Sequence, residues 1–268
     1  MVSGEFTRDE MMTVATSRFI QDGWKAFIGT GLPMVAAYLA KATHAPNMTL
    51  MFESGVIAAE PRTIARAVGD PRLQSTARRV SGMLDGLLLL HGGNVDFGVL
   101  GGAQVDRFGN INSTAVGGEG YARPATRLGG SGGANDIASA AKEFLIVVRH
   151  TRRTFVERVD HLTTPGYLSG PGAREAAGLR GRGPIGVVTD LGVFGFDPTT
   201  KRMNATSLHA GISWEDVEAA TGFDIDRPDE LPTTPPPSEH ELQLLRTVID
   251  PRGVYLKDSP KTTAGGAA

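Results

Sequence analysis

Short apolar runs that break into glycine-rich turns recur along this chain, and that recurrence limits its fold more than any other feature. Residues 25–28 run into Gly29-Thr30-Gly31-Leu32-Pro33, after which residues 34–41 are rich in helix formers. A second buried-strand pattern over 48–52 meets Glu53-Ser54-Gly55, and a third over 96–100 enters Gly101-Gly102-Ala103-Gln104-Val105-Asp106. Further on, Gly129-Gly130-Ser131-Gly132-Gly133 precedes a helix predicted over 137–142, and 144–148 and 154–159 read as strands. Strand, glycine turn and helix in that order form the unit of open α/β sheets, whose ligands sit at the carboxyl ends of the strands.

The rest of the chain fits one domain. Thr7-Arg8-Asp9-Glu10 is a capping box ahead of an amphipathic helix that Gly23 is expected to close. A hairpin is predicted from 185–189 and 193–196 around Asp190-Leu191-Gly192. Ser213 starts a helix to residue 220, and Ser238, with Glu241, starts another to residue 249. Five prolines between 228 and 237 mark an extended connector. The fold class is therefore α/β: a single open-sheet domain over 1–257 with a C-terminal helical arm (238–250), followed by a flexible tail at 258–268.

Composition removes several functions. Net charge is -2 and the pI is near 6.3, which gives no footprint for nucleic acid or an anionic membrane. There is no cysteine, so disulfides, thiolate metal sites and a cysteine nucleophile are excluded. The six histidines, at 44, 91, 150, 161, 209 and 240, form no H-x-x-x-H or H-E-x-x-H group, and no metal site is expected. An acidic start without an apolar core and the lack of an 18-residue apolar run point to a cytoplasmic protein without membrane contact.

Chemistry has few places to sit. A carboxylate at a strand end followed by a small residue and glycine, as in Glu53-Ser54-Gly55, can serve as nucleophile or base, or be a solvated turn glutamate. The run 130–136 can aim backbone N–H groups at an anion or oxyanion, or only let strand and helix pack closely; it has neither dinucleotide nor Walker spacing. Ser131 lacks the full G-x-S-x-G elbow. The pair Arg152-Arg153 suits phosphate or a solvated face. Gln104 can donate its amide to an acyl oxygen or make structural hydrogen bonds.

Taken together and in order, Glu53-Ser54-Gly55, the 101–106 turn and Gly130-Ser131-Gly132-Gly133-Ala134-Asn135 resemble the motif set of class I CoA-transferases, and more narrowly that of the B (beta) subunits of the glutaconate type. The likeness continues through Val68-Gly69-Asp70, residues 109–114, Thr164-Pro165-Gly166-Tyr167, Gly170-Pro171-Gly172 and Lys201-Arg202-Met203, and covers about Thr7 to Tyr255. It implies that Glu53 is the covalent nucleophile. Gln104, Gly132, Gly133, Ala134 and Asn135 are then implied for oxyanion and acyl binding, with Gly29, Gly31, Ser54, Gly55, Gly102 and Ala103 in active-site loops. It further implies ping-pong transfer of CoA between a glutaconyl-like, dicarboxylic or other short acyl-CoA and a free carboxylate. CoA travels as part of the substrate and no separate cofactor is required. An alpha (A) subunit completes the site, in an A2B2 or larger heteromer. Hydrolase or decarboxylase pairs on the same fold, and a non-catalytic scaffold role, are the alternatives; the first two depart from the glutamate of this turn, so its retention favours transfer.

Overall fold

The computed structural model describes residues 6–60 and 63–257. The predicted tail at 258–268 lies outside them. The elements run α1 (Arg8–Ser17), β1 (Lys25–Ile28), α2 (Leu32–Ala42), β2 (Thr49–Met51), β3 (Val56–Ile57), α3 (Pro71–Gln74), β4 (Arg79–Val80), α4 (Met83–His91) and β5 (Phe97–Leu100). Two small hairpins follow, β6 (Gln104–Val105) with β7 (Ile111–Asn112) and β8 (Ala115–Val116) with β9 (Thr126–Arg127). The chain then continues through α5 (Ala134–Ala140), β10 (Glu143–Val147), α6 (Ala173–Ala176), β11 (Pro184–Val188), β12 (Gly192–Phe196), β13 (Met203–Leu208), α7 (Trp214–Ala220) and α8 (Glu239–Leu244), which widens into a π-helical turn at Leu245–Ile249.

One nine-stranded sheet carries the molecule, in the order β13-β12-β11-β10-β5-β1-β2-β3-β4. Its centre, from β11 to β2, is parallel, and antiparallel strands finish both edges. Alternation along the central strands explains why both faces are covered. Ala26 and Ile28 of β1, Leu50 of β2 and Leu145 of β10 enter the core beneath α1 and α2, while Phe27, Met51, Phe144 and Ile146 enter the core on the opposite face. Gly98 of β5 lets Ile137 of α5 lie against the sheet, since a Cβ there would overlap the Ile137 side chain.

From β1 the chain crosses to β2 on one side and later returns to β5 on the other. The crevice beyond the carboxyl ends of β1 and β5 is thus a topological switch point, where open sheets bind ligands.

Several local expectations shift. Thr7 and Glu10 form the capping box, but α1 is capped at Arg18 and Gly23 takes its positive φ of 76° in the following turn. Residues 154–159 are not a strand: Phe155 alone bridges Val105 and Thr221, and Glu157 and Arg158 extend into solvent with no ladder to join. The C-terminal helix is α-helical only to Leu244. Glu10, fully buried, also accepts from Arg246 Nε at 2.6 Å, which ties the C-terminal arm to α1. Removing one partner of such a buried pair costs about 3–5 kcal/mol.

His150 sits in the core of the second face, stacked on Phe155 with 3.8 Å between ring centroids and bonded to Thr221 Oγ1 at 2.9 Å. Burial pulls its pKa down to about 4, against a smaller opposing pull from Asp190. The unfolded chain binds this proton near pH 6.5 and the native protein only near 4, so native stability falls as pH drops through that window. By pH 4 the cost is about 3 kcal/mol. Denaturant unfolding at about pH 7 and about pH 4.5 should show this loss in the wild type and its absence in His150→Gln; parallel pH curves for the two proteins would refute it.

Candidate functional site

Glu53 occupies a turn that the backbone holds from several sides. Phe52 N donates to Val56 O (3.0 Å) and Gly55 N to Phe52 O (2.9 Å), closing the turn between β2 and β3. Gly55 has φ +86°, and a Cβ there would collide with the carbonyls of Ser81 and Gly82. Ser81 donates to Gly55 O through both N (3.0 Å) and Oγ (2.9 Å), and Ser54 Oγ donates to Val68 O at 2.6 Å. Such a turn fixes where the half-buried Glu53 side chain points.

It points at the glycine loop. Gly133 N donates to Glu53 Oε2 at 2.8 Å, joining residues 80 positions apart. Glycine allows this close approach, since a Cβ on Gly133 would lie 2.4 Å from Oε2 and the carboxylate would have to move. Gly132, at φ +49°, lies alongside. The loop is anchored from behind: Gly130 N donates to Ser113 O and Ser113 Oγ to Gly130 O, both at 2.9 Å, and Asn135 Nδ2 donates to Thr163 O at 2.8 Å.

Glu53, Gly132, Gly133 and Ala134 border one cavity of about 440 Å³ at the switch point, together with Gly29 and Thr30 after β1 and Gly101 after β5. That volume lies within the range of about 300–1,000 Å³ usual for small-molecule pockets. Phe27, Ile28, Val99, Leu100 and Ile137 supply its apolar lining, and Thr30, Ser131 and Arg66 add polar groups. A roomier hollow of about 1010 Å³ beside Arg107, Glu157, Asp160 and Arg202 holds none of the glycine loops of the Glu53 site.

The other sequence candidates lie behind this wall. Gly31, with φ +97°, caps α2, and Ser54 and Gly55 brace the turn that carries Glu53. Gly102 packs against Ile111, where a Cβ would overlap the side chain, and Ala103 N donates to Asn112 O at 2.8 Å. Gln104 is buried: Nε2 donates to Asp160 Oδ2 at 3.1 Å, while Oε1 accepts from Asn112 Nδ2 (2.7 Å) and Asp160 N (3.0 Å). Gln104 and Asn135 are thus engaged in a polar network that also takes in Asn112, Thr163 and Asp160. Arg152 donates to Thr221 O, away from the cavity.

Residues without a motif complete the site. The apolar wall comes from the last residues of β1 and β5, legible only once the strand order is known. Arg66 and Ala67 come from a loop with no motif of its own, which leads into Val68-Gly69-Asp70, where Val68 also borders the cavity. Among the described residues no three His, Asp or Glu side chains gather as a metal site, and no helix is long and apolar enough to cross a membrane.

A family profile described as Coenzyme A transferase matches residues 9–220. The chain is 41% identical to the B subunit of 3-oxoadipate CoA-transferase from Pseudomonas knackmussii, with 91% of this chain and 93% of the relative covered. It is 38% identical to the B subunit of glutaconate CoA-transferase from Acidaminococcus fermentans, over 94% and 96%. The crystal structure of that glutaconate CoA-transferase superposes with a TM-score of 0.88 at 37% identity, covering 94% of this chain and 98% of the other. The IpdB component of a cholesterol ring-cleaving hydrolase from Mycobacterium tuberculosis is 32% identical, over 92% and 96%.

Proposed function

The chain belongs to the coenzyme A transferase family, and from that premise we propose that it is the B subunit of a heteromeric CoA-transferase with Glu53 as its covalent nucleophile. The observation that carries the reading is the 2.8 Å hydrogen bond from Gly133 N to Glu53 Oε2, inside a cavity with a partly apolar lining. An A-type partner completes the site in an A2B2 or larger cytoplasmic assembly. The substrates are short acyl-CoAs and free carboxylic acids, dicarboxylic ones in particular.

The geometry around Glu53 supports the covalent chemistry that the family resemblance implies. Glu53 Oε1 attacks the thioester carbon and expels the CoA thiolate, leaving an acyl-glutamyl anhydride. The thiolate attacks the glutamyl carbon, the acyl group departs as a free carboxylate, and a glutamyl-CoA thioester remains. A second carboxylate attacks that thioester and the two steps run backwards, regenerating Glu53. When the thiolate attacks the glutamyl carbon, negative charge collects on Oε2, the atom that already accepts from Gly133 N–H. A main-chain donor aimed there before reaction stabilises the tetrahedral state with no reorganisation. No step calls on a metal or redox cofactor.

The test is intact-mass measurement of the chain, co-purified with its A-type partner and incubated with short acyl-CoAs in the absence of acceptor acid. A CoA-sized, hydroxylamine-sensitive increase on Glu53 is expected. Steady release of free CoA with no adduct would turn the reading towards hydrolysis.

A further inference from the structure

Arg66 is the one cation bordering the Glu53 cavity among the described residues. Its side chain is exposed, yet the backbone beneath it is pinned at three points. Tyr255 Oη donates to Ala65 O at 2.9 Å, Arg66 N donates to Asp70 Oδ2 at 3.0 Å, and Ser54 Oγ, next to Glu53, donates to Val68 O at 2.6 Å. The nearby carboxylate is already taken. Asp70 receives Arg72 Nε at 2.9 and 3.1 Å as well as the Arg72 amide, and these bonds hold its carboxyl well below the usual range. Among the described residues the Arg66 guanidinium has no carboxylate within ion-pair reach.

A charged fork held beside a cavity whose other ionisable group is Glu53 has a definite use. CoA transfer brings a free carboxylate to a site whose nucleophile is also a carboxylate, and like charges at close range repel. A dicarboxylic substrate adds a second carboxylate that does not react and stays ionised throughout. The cavity lining offers it the neutral hydroxyls of Thr30 and Ser131, and Arg66 alone among the described lining residues offers a full positive charge. The arginine fork matches carboxylate geometry with two parallel N–H donors, which a lysine supplies only as a point charge.

Resting on the reading of Glu53 as the transferring nucleophile, we infer that Arg66 binds the non-reacting carboxylate of a dicarboxylic substrate and so sets the preference of this site for diacids over monoacids. It touches the part of the substrate that does not change, so its contribution falls on binding.

The experiment uses the co-purified heteromer, wild type and with Arg66→Gln or Arg66→Lys, and the acyl-CoA donor that labels Glu53. Glutarate and pentanoate, five-carbon acids with two carboxylates and one, serve as acceptors. Arg66→Gln is expected to raise the KM for glutarate by about 10- to 100-fold, the range for a lost charged hydrogen bond, with kcat and the kinetics on pentanoate little changed. The diacid preference therefore collapses, and Arg66→Lys restores part of it. Equal losses on both acids, or no loss on either, overturn the assignment. A rise confined to the KM of the CoA donor also overturns it and places Arg66 on a CoA phosphate. The adduct is read before any acceptor is added, so its absence in the wild type fails the transfer reading itself and is distinguishable from a failure of Arg66 alone.

Discussion

Glu53→Gln in the assembled heteromer is expected to abolish CoA transfer, with kcat falling by roughly 10⁴- to 10⁶-fold, the scale seen when a covalent nucleophile is removed. The substitution keeps the side-chain volume and an oxygen that can still accept from Gly133 N, while the nucleophilic carboxylate is gone. The turn is held by Ser54, Ser81 and Gly55, none of which depends on the Glu53 charge. Stability and assembly should therefore be unchanged. Thermal unfolding and size-exclusion profiles matching the wild type, with no turnover and no CoA adduct, are the expected set. Normal turnover by this variant would make the chain a scaffold for a site lying elsewhere.

Gly133→Ala separates the oxyanion argument from the nucleophile argument. Gly133 has φ -80° and ψ 1°, a conformation alanine adopts freely, so the backbone tolerates the change. The new methyl group would lie 2.4 Å from Glu53 Oε2 and push the carboxylate out of line with its donor. A displacement of about 1 Å at a reacting group costs on the order of 10²-fold, and loss of one oxyanion donor about 10²- to 10³-fold. The expected result is a fall in kcat of that size with unfolding unchanged. Gly132→Ala should behave in the opposite way. Its φ of +49° strains an alanine by about 1 kcal/mol, whereas the nearest Glu53 oxygen would be 3.8 Å from the new Cβ, an ordinary contact. Turnover and unfolding measured on both variants check the contrast; equal behaviour of the pair would remove Gly133 from the oxyanion role.

The architecture was legible because local pattern and global fold agree in this chain. Within the runs at 25–28, 96–100 and 144–148, residues 26–28, 97–100 and 144–147 are buried on both faces, and glycine follows the first two wherever the backbone must turn beside a neighbour. Residues 154–159 show where pattern fails: one buried phenylalanine next to valines resembles a strand, but strands need ladders, and only Phe155 has partners. The site divides in the same way. Glu53 and the glycine loop stand out through their resemblance to known motifs, yet the bond between them spans 80 positions and leaves no trace in spacing. Gln104 is equally suited by type to reaching substrate or bracing a loop, and only the fold reveals that Asp160 and Asn112 surround its amide. Arg66 has no motif at all; its place beside the cavity depends on contacts to its neighbours, from Ser54 to Val68 O and from Tyr255, 190 positions on, to Ala65 O.

That last dependence bears on how the protein is made. Residues 65–68 leave the ribosome long before Tyr255, whose hydroxyl pins Ala65, and before Arg246, which locks the C-terminal arm onto Glu10 of α1. The central parallel strands can pair while synthesis continues, since β11 ends at Val188. Of the three pins on the segment beside Glu53, the one at Ala65 can be made only by the end of the chain. The last tether of this segment is thus acquired last in the vectorial order of synthesis: a product cut short before Arg246 lacks both the Tyr255 bond to Ala65 O and the Arg246 contact to Glu10, while the Ser54 and Asp70 contacts to residues 66–68 remain within reach.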